Sequence, residues 1–165
     1  MRLRIMLATV GALAVGAVAV PSADSAAPTS PHLAADSFTF KSNKDLEDVA
    51  IRPGVAGASL GVLSDHENYF VEVVGRTQTG EPEFHAHWID YAVVQEGHGS
   101  LLYGGTDTGS RDIGNGESRG GTISGGASRD LNPGDYFEMP AGEWHQIILK
   151  PGTKAFRYLV VKIRQ

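Results

Sequence analysis

Short apolar runs separated by turn-forming residues make up most of the chain after residue 57. They have the length, the alternation and the β-branched or aromatic content of strands. The breaks between them carry Gly, Pro, Asn, Asp or Ser, which are the residues that form β-turns. Many short strands at close spacing predict an antiparallel sandwich or a small barrel. The predicted strands are residues 58–63, 69–75, 90–97, 100–104, 135–140, 145–150 and 155–163.

Helical periodicity is confined to one short segment, SNKDLEDVAI, that precedes the first of these strands. Leu46, Val49 and Ala50 fall on one side of this segment, and Ser42 or Asn43 supplies the N-cap that the start of a helix needs. The pattern therefore predicts an all-β domain with one short N-terminal helix.

The beginning of the chain has the order of a secretory signal peptide. Two arginines precede an uncharged apolar run from Ile5 to Val20, and small residues follow it. The run is shorter than the roughly 20 residues that a membrane-spanning helix needs, so a retained anchor is the weaker alternative. We predict a secreted protein with no membrane contact after cleavage. Its segments are a signal peptide at 1–26, a polar tether at 27–40 and a single domain at 41–165.

The net charge and the absence of cysteine exclude some classes of partner and some kinds of chemistry. The formal net charge is −5 at pH 7, which argues against nucleic acid or an anionic membrane surface as a partner. The chain contains no cysteine, so disulfides and thiol chemistry are excluded. The domain must be held together by packing or by a metal ion.

A glycine-rich segment, residues 104–126, interrupts the strand pattern. It has nine glycines in 23 residues, and it is too polar and too flexible to be assigned as a pair of strands. Long loops in compact domains are usually either functional or disordered. We expect either an ordered rim over a pocket or a disordered loop, and the sequence leaves both open. A phosphate-binding loop is excluded because no Gly-Lys-Ser/Thr element follows.

Two stretches carry the candidate chemistry. The first, FHAHWIDYAVVQEG at 84–97, places His85 and His87 one residue apart. In a continuous strand these two side chains share a face and can hold one cation between them. A stable metal site needs three or four ligands, so the pair alone does not establish one.

The second stretch, GDYFEMPAGEWHQ, spaces Gly134, Pro140, Gly142 and His145 as G-x5-P-x-G-x2-H. This spacing resembles the second conserved motif of the cupin superfamily, and the stretch with the two histidines resembles the first. The resemblance covers about residues 58–163. It implies a cupin-type antiparallel β-barrel (a double-stranded β-helix, or jelly roll) that binds one divalent metal ion in its interior. It also implies that His145 joins His85 and His87 as a ligand.

The chain departs from the family pattern at the fourth ligand, which is usually a glutamate. Counting back from Gly97 places that position at Asp90, whereas counting forward from His87 places it at Tyr91. Strand parity favours Tyr91, unless a bulge shifts the register as bulges often do next to sites. We prefer Asp90 as the ligand and keep Tyr91 as the alternative. The candidates for a catalytic base are Tyr91, Glu83 and Glu143, of which the two glutamates are otherwise rim charges or acceptors for an imidazole N–H.

The resemblance leaves the metal and the reaction open. Imidazole and carboxylate ligands suit Fe, Mn, Ni, Cu or Zn equally. A metal with open coordination positions can act on a small polar or aromatic molecule, and dioxygenase-like oxidoreductase chemistry is preferred over isomerase or lyase chemistry by analogy with the fold. The alternative is a non-catalytic module that binds a small, sugar-type ligand. The apolar C-terminal run FRYLVVKI is expected to form a sheet edge through which two copies pair as a homodimer.

Overall fold

The computed structural model describes residues 39–50 and 58–165. The predicted signal peptide and most of the predicted tether lie outside the described residues, so both stay predictions. Thr39–Gln165 forms one compact unit. Within the described part of the chain, no helix is long and apolar enough to cross a membrane.

One helix, α1, precedes a series of antiparallel strands that form two sheets. The five-stranded sheet has the order β1-β2-β11-β4-β9, and the six-stranded sheet has the order β6-β7-β3-β10-β5-β8. The elements are α1 (Asn43–Ala50), β1 (Ala58–Asp65), β2 (Tyr69–Arg76), β3 (Glu83–His85), β4 (Trp88–Glu96), β5 (Gly99–Tyr103), β6 (Thr106–Gly114), β7 (Glu117–Ser124), β8 (Ala127–Leu131), β9 (Tyr136–Met139), β10 (His145–Leu149) and β11 (Phe156–Arg164).

The core lies between the two sheets, because alternate residues of each strand face inward. In β4, Asp90, Ala92 and Val94 are buried while the residues between them are half-buried or exposed. The apolar members of the core come from both sheets and include Leu101, Leu131, Met139, Ile147, Phe156 and Val160. The predicted all-β barrel with one short N-terminal helix is confirmed.

Ser42 and Asp45 cap the start of α1 by a reciprocal pair of hydrogen bonds. The Ser42 hydroxyl accepts a bond from the Asp45 amide at 3.2 Å, and the Asp45 carboxylate accepts one from the Ser42 amide at 2.8 Å. Two backbone N–H groups at the helix start are thereby satisfied. The structure therefore selects Ser42 rather than Asn43 as the cap.

The glycine-rich segment, for which the sequence left an ordered rim and a disordered loop open, forms a hairpin of two paired strands in the structure. β6 pairs with β7 from Thr106 opposite Ser124 to Gly114 opposite Glu117. The turn places Gly114, Asn115 and Gly116 at φ of 92°, 54° and 77°, a region that glycine and asparagine tolerate best. The strands can be polar because β6 is an edge strand that is largely exposed.

The C-terminal strand is central in its sheet, so the prediction that it forms an edge is wrong. β11 pairs with β2 on one side and with β4 on the other. Its backbone hydrogen-bonding groups are therefore used within the chain, and it cannot pair with a second copy. The homodimer stays a prediction, and the C-terminal strand no longer supports it.

Candidate functional site

Glu83, His85 and His145 bring three potential metal ligands together in the barrel. β3 and β10 are antiparallel neighbours that pair Glu83 directly opposite His145. His85 follows Glu83 by two residues in β3 and so shares its face. One ligand atom from each of the three side chains lies within 4.8 Å of the others. Both histidines are buried, with 3% and 5% of the residue surface exposed.

Lys162 lies against the same cluster. Its ammonium nitrogen is 2.9 Å from Nε2 of His85 and 2.6 Å from each carboxylate oxygen of Asp90. Register explains the contact, because β11 and β4 pair Lys162 directly opposite Asp90. One Asp90 oxygen is also 3.6 Å from Nε2 of His85 and 3.9 Å from Nε2 of His145. The carboxylate of Asp90 therefore faces both imidazoles.

The hydrogen bonds fix which nitrogen of each imidazole faces the cluster. An ammonium group only donates, so Nε2 of His85 accepts from Lys162, and Nδ1 donates to the Glu117 carboxylate 2.5 Å away. Nδ1 of His145 donates to the Glu143 carbonyl oxygen at 3.2 Å, which leaves its Nε2 lone pair free. Burial lowers the pKa of both histidines, so both rings are neutral, as metal ligation requires.

Glu83 is held as a carboxylate by arginines. Arg76 binds one of its oxygens at 2.5 Å, and Arg119 lies 3.6 Å from the other. Burial opposes ionisation, but the positive charges around the carboxyl group, that of Arg76 foremost and those of Arg119 and Lys162 with it, outweigh burial and lower the pKa of Glu83. The cluster therefore combines two imidazole lone pairs with an ionised carboxylate, a donor set that suits a first-row divalent metal ion.

Two cavities reach this cluster. One, of about 470 Å³, is lined by Glu83, Asp90 and His145. The other, of about 800 Å³, is lined by His85, Trp88 and Glu117. Both volumes lie in the range of small-molecule sites. The residues that line both cavities are Leu60, Glu72, Arg119 and Lys162.

Glu72 is a buried carboxyl group at the boundary of the two cavities. It is 7% exposed, and within the described part of the chain its side chain forms no hydrogen bond or ion pair. Burial raises its pKa, while the charge of Lys162 acts in the opposite direction. Glu72 was not singled out from the sequence, although it is a lone charge within the otherwise apolar run YFVEVV.

The structure does not bring His87 into the cluster. β3 ends at His85, and a bend at residues 86–87 separates it from β4. The assumption that His85 and His87 share one strand face is therefore wrong. His87 is exposed and lines the larger cavity instead.

The same bend bears on the sequence-based choice between Asp90 and Tyr91, which stays a prediction. The alternation of inward and outward residues cannot be counted from His87 across the bend. Within β4, Asp90 is buried together with the inward residues Ala92 and Val94. Tyr91 lies on the opposite face, so the structure does not bring it to the cluster as a base. Glu143 is exposed and contributes only its backbone carbonyl, whereas Glu83 lies within the cluster.

Sequence reasoning missed Lys162 and Glu117. Lys162 lies in the run FRYLVVKI, in which Tyr158, Val160 and Lys162 alternate inward. A lone charge at an inward position of a central strand is the signal that would have identified it. Glu117 lies in the glycine-rich segment, whose pairing with β3 the sequence did not reveal.

No protein-family model matches the chain, and no curated protein matches it. Among solved structures, the polyketide cyclase RemF from Streptomyces resistomycificus is 21% identical with a TM-score of 0.50, over 77% of this chain and 81% of that protein. Iron(II) HppE is 15% identical with a TM-score of 0.50, over 68% of this chain and 53% of that protein.

A third solved structure, a cupin 2 conserved barrel domain protein from Rhodopseudomonas palustris, is 21% identical with a TM-score of 0.45. The match covers 66% of this chain and 63% of that protein, which is less than two thirds of its length. At these identities the likenesses bear on the fold.

Proposed function

Because the chain has the fold of the cupin superfamily, we propose that it binds one divalent metal ion in the barrel and acts on a small molecule there. His85, His145 and Glu83 are the proposed ligands, and Asp90 is the proposed fourth. His87 stays a sequence-based candidate, which the bend between β3 and β4 makes the weaker one.

The observation that carries the proposal is the orientation of the two buried imidazoles. Each ring is fixed through Nδ1, one by the Glu117 carboxylate and one by the Glu143 carbonyl, so that both Nε2 atoms face the same point. Metal-binding histidines are commonly held in this way by an acceptor on the other nitrogen.

When bound, the metal would supply a Lewis acid with open positions for a small oxygen-containing molecule or for dioxygen. The other proposed roles belong to side chains of the protein. Arg76 keeps Glu83 ionised, and Arg119 borders both cavities, where it can bind an anionic group of the substrate. We favour dioxygenase-like oxidoreductase chemistry, because imidazole and carboxylate donors suit Fe(II), and HppE, a protein of similar fold, has been solved with iron(II). Cyclase, isomerase or lyase chemistry is the non-redox alternative, and the likeness to RemF supports a cyclase.

A second candidate function, a non-catalytic module that binds a small ligand, is favoured by Lys162. Its ammonium already satisfies Nε2 of His85 and the carboxylate of Asp90. A barrel neutralised in this way can bind a ligand in its cavities without a metal ion.

Elemental analysis separates the two functions. The chain is purified without chelator or nickel resin beside His145→Ala, with the exposed His98→Ala as the matched control. Near one equivalent of a redox metal, retained in the control and lost in His145→Ala, supports the metal site and leads to oxygen-consumption assays with candidate substrates. One equivalent of zinc supports non-redox chemistry. No metal in any of the proteins, even after reconstitution, leaves the binding module.

A further inference from the structure

Lys162 occupies the place toward which the proposed metal ligands converge. Its ammonium donates to Nε2 of His85 and to both oxygens of Asp90. A lone pair that accepts a hydrogen bond from Lys162 cannot bind a metal ion at the same time. A metal ion held by His85 therefore requires the ammonium of Lys162 to leave.

Glu72 offers the ammonium a second place. β2 and β11 pair Glu72 opposite Val160, so Lys162 is its diagonal neighbour two residues further along. Diagonal neighbours on one face of an antiparallel pair lie within reach of long side chains. Glu72 and Lys162 both line both cavities, and within the described residues the carboxyl of Glu72 has no hydrogen-bonding or ionic partner.

We propose that Lys162 is a built-in competitor of the metal ion that moves between two carboxylates. In the metal-free protein it neutralises Asp90 and caps Nε2 of His85. When the metal binds, Lys162 moves to Glu72, and His85 and Asp90 become free to bind the metal ion. This inference rests on the proposed metal site, and it assigns control of metal affinity to a pair of residues outside the ligand set.

The first test is the affinity of the chelator-stripped protein for zinc, measured by isothermal titration calorimetry. Lys162→Met removes the competing charge while keeping most of the side-chain volume. We expect it to bind zinc at least tenfold more tightly than the unsubstituted chain, a change of about 1.4 kcal/mol. The matched control is Lys150→Met, which removes a surface lysine paired with Asp130 and should leave zinc affinity unchanged.

The second test asks whether Glu72 receives the ammonium. Glu72→Gln keeps the shape of the side chain but holds an ammonium less strongly than a carboxylate does. We expect it to weaken zinc binding about fivefold in the presence of Lys162. In the Lys162→Met background the same substitution should have no effect, because no ammonium remains to be received.

The outcomes are distinguishable from failure of the proposed function. Equal zinc affinities of Lys162→Met and the unsubstituted chain would overturn the competitor role, and equal effects of Glu72→Gln in both backgrounds would overturn the movement to Glu72. If Lys162→Met does not fold, the comparison is made between Asp90→Asn and Asp90→Asn with Lys162→Met, in which the added substitution should tighten binding. Absence of zinc binding in every variant would overturn the metal site and this inference with it.

Discussion

Glu117 and His85 lie 32 positions apart in the sequence, yet the Glu117 carboxylate is 2.5 Å from Nδ1 of His85. The contact exists because the hairpin of β6 and β7 pairs with β3 and places Glu117 directly opposite His85. It fixes the proton of the imidazole on Nδ1 and turns Nε2 toward Glu83 and His145. The segment that looked least structured in the sequence therefore sets the orientation of a proposed metal ligand.

Glu117→Ala should weaken zinc binding by about 10- to 100-fold, because loss of the acceptor frees the imidazole to rotate and to change tautomer. Glu117→Gln keeps an oxygen that can accept from Nδ1 and should lose less. Both are measured by calorimetric titration of stripped protein. Glu81→Ala is the control, since Glu81 pairs with Arg111 on the exposed side of the same hairpin. An equal loss in the control would point to general damage of the hairpin and contradict the orienting role.

The buried pair of Asp90 and Lys162 should stabilise the metal-free protein only as a pair. Removing Lys162 leaves the Asp90 carboxylate buried without its cation, which costs about 3 kcal/mol. We expect Lys162→Met to lower the free energy of unfolding by about that amount, measured by urea denaturation with EDTA present, and Asp90→Ala to lower it by less, because Glu72 can then receive the ammonium of Lys162. The double substitution should cost clearly less than the sum of the two single substitutions. Additive losses would show that the two side chains are not coupled.

Gly116→Ala should test whether the turn of the hairpin is packed against the site. Gly116 has a φ of 77°, and a Cβ there would lie 2.8 Å from Cβ of Ala86 and 2.9 Å from the ring of His87. We expect a loss of about 1–3 kcal/mol in the free energy of unfolding. Gly114→Ala is the matched control, because its φ is 92° but its Cβ would meet nothing within 4 Å. Equal losses would assign the whole cost to the backbone and none to packing.

The strands that could be predicted from the sequence are those whose inward residues are mostly apolar. β4, β10 and β11 follow the alternation closely, and their predicted limits differ from the observed ones by at most two residues. β6 and β7 could not be found in this way because they are polar and glycine-rich, and their stability comes from pairing with each other and from the turn at Asn115. Pairing of this kind leaves no apolar signal in the sequence.

The residues of the candidate site also differ in whether the sequence could predict them. His85 and His145 follow from motif spacing, and the burial of Asp90 agrees with the count made from Gly97. The bend after β3 could not be predicted, because nothing in the letters FHAHW distinguishes a continuous strand from one that ends at His85. Lys162 could not be placed without knowing that β11 is central, since a lysine on an edge strand would usually face solvent.

His87 provides the sharpest test of the bend. If β3 ends at His85 in solution, His87→Ala should leave zinc stoichiometry and affinity unchanged within about twofold, because the side chain is exposed and outside the cluster. His85→Ala should weaken zinc binding by roughly 100-fold or more, since it removes one of the two imidazoles in the cluster and leaves one imidazole with two carboxylates. Both substitutions replace a histidine by alanine, and they lie two residues apart. A difference between their zinc affinities in calorimetry therefore reports only where each ring lies. A loss in His87→Ala as large as that in His85→Ala would show that the two rings do share one metal ion. The strand would then have to be continuous through residue 87 when the metal is bound.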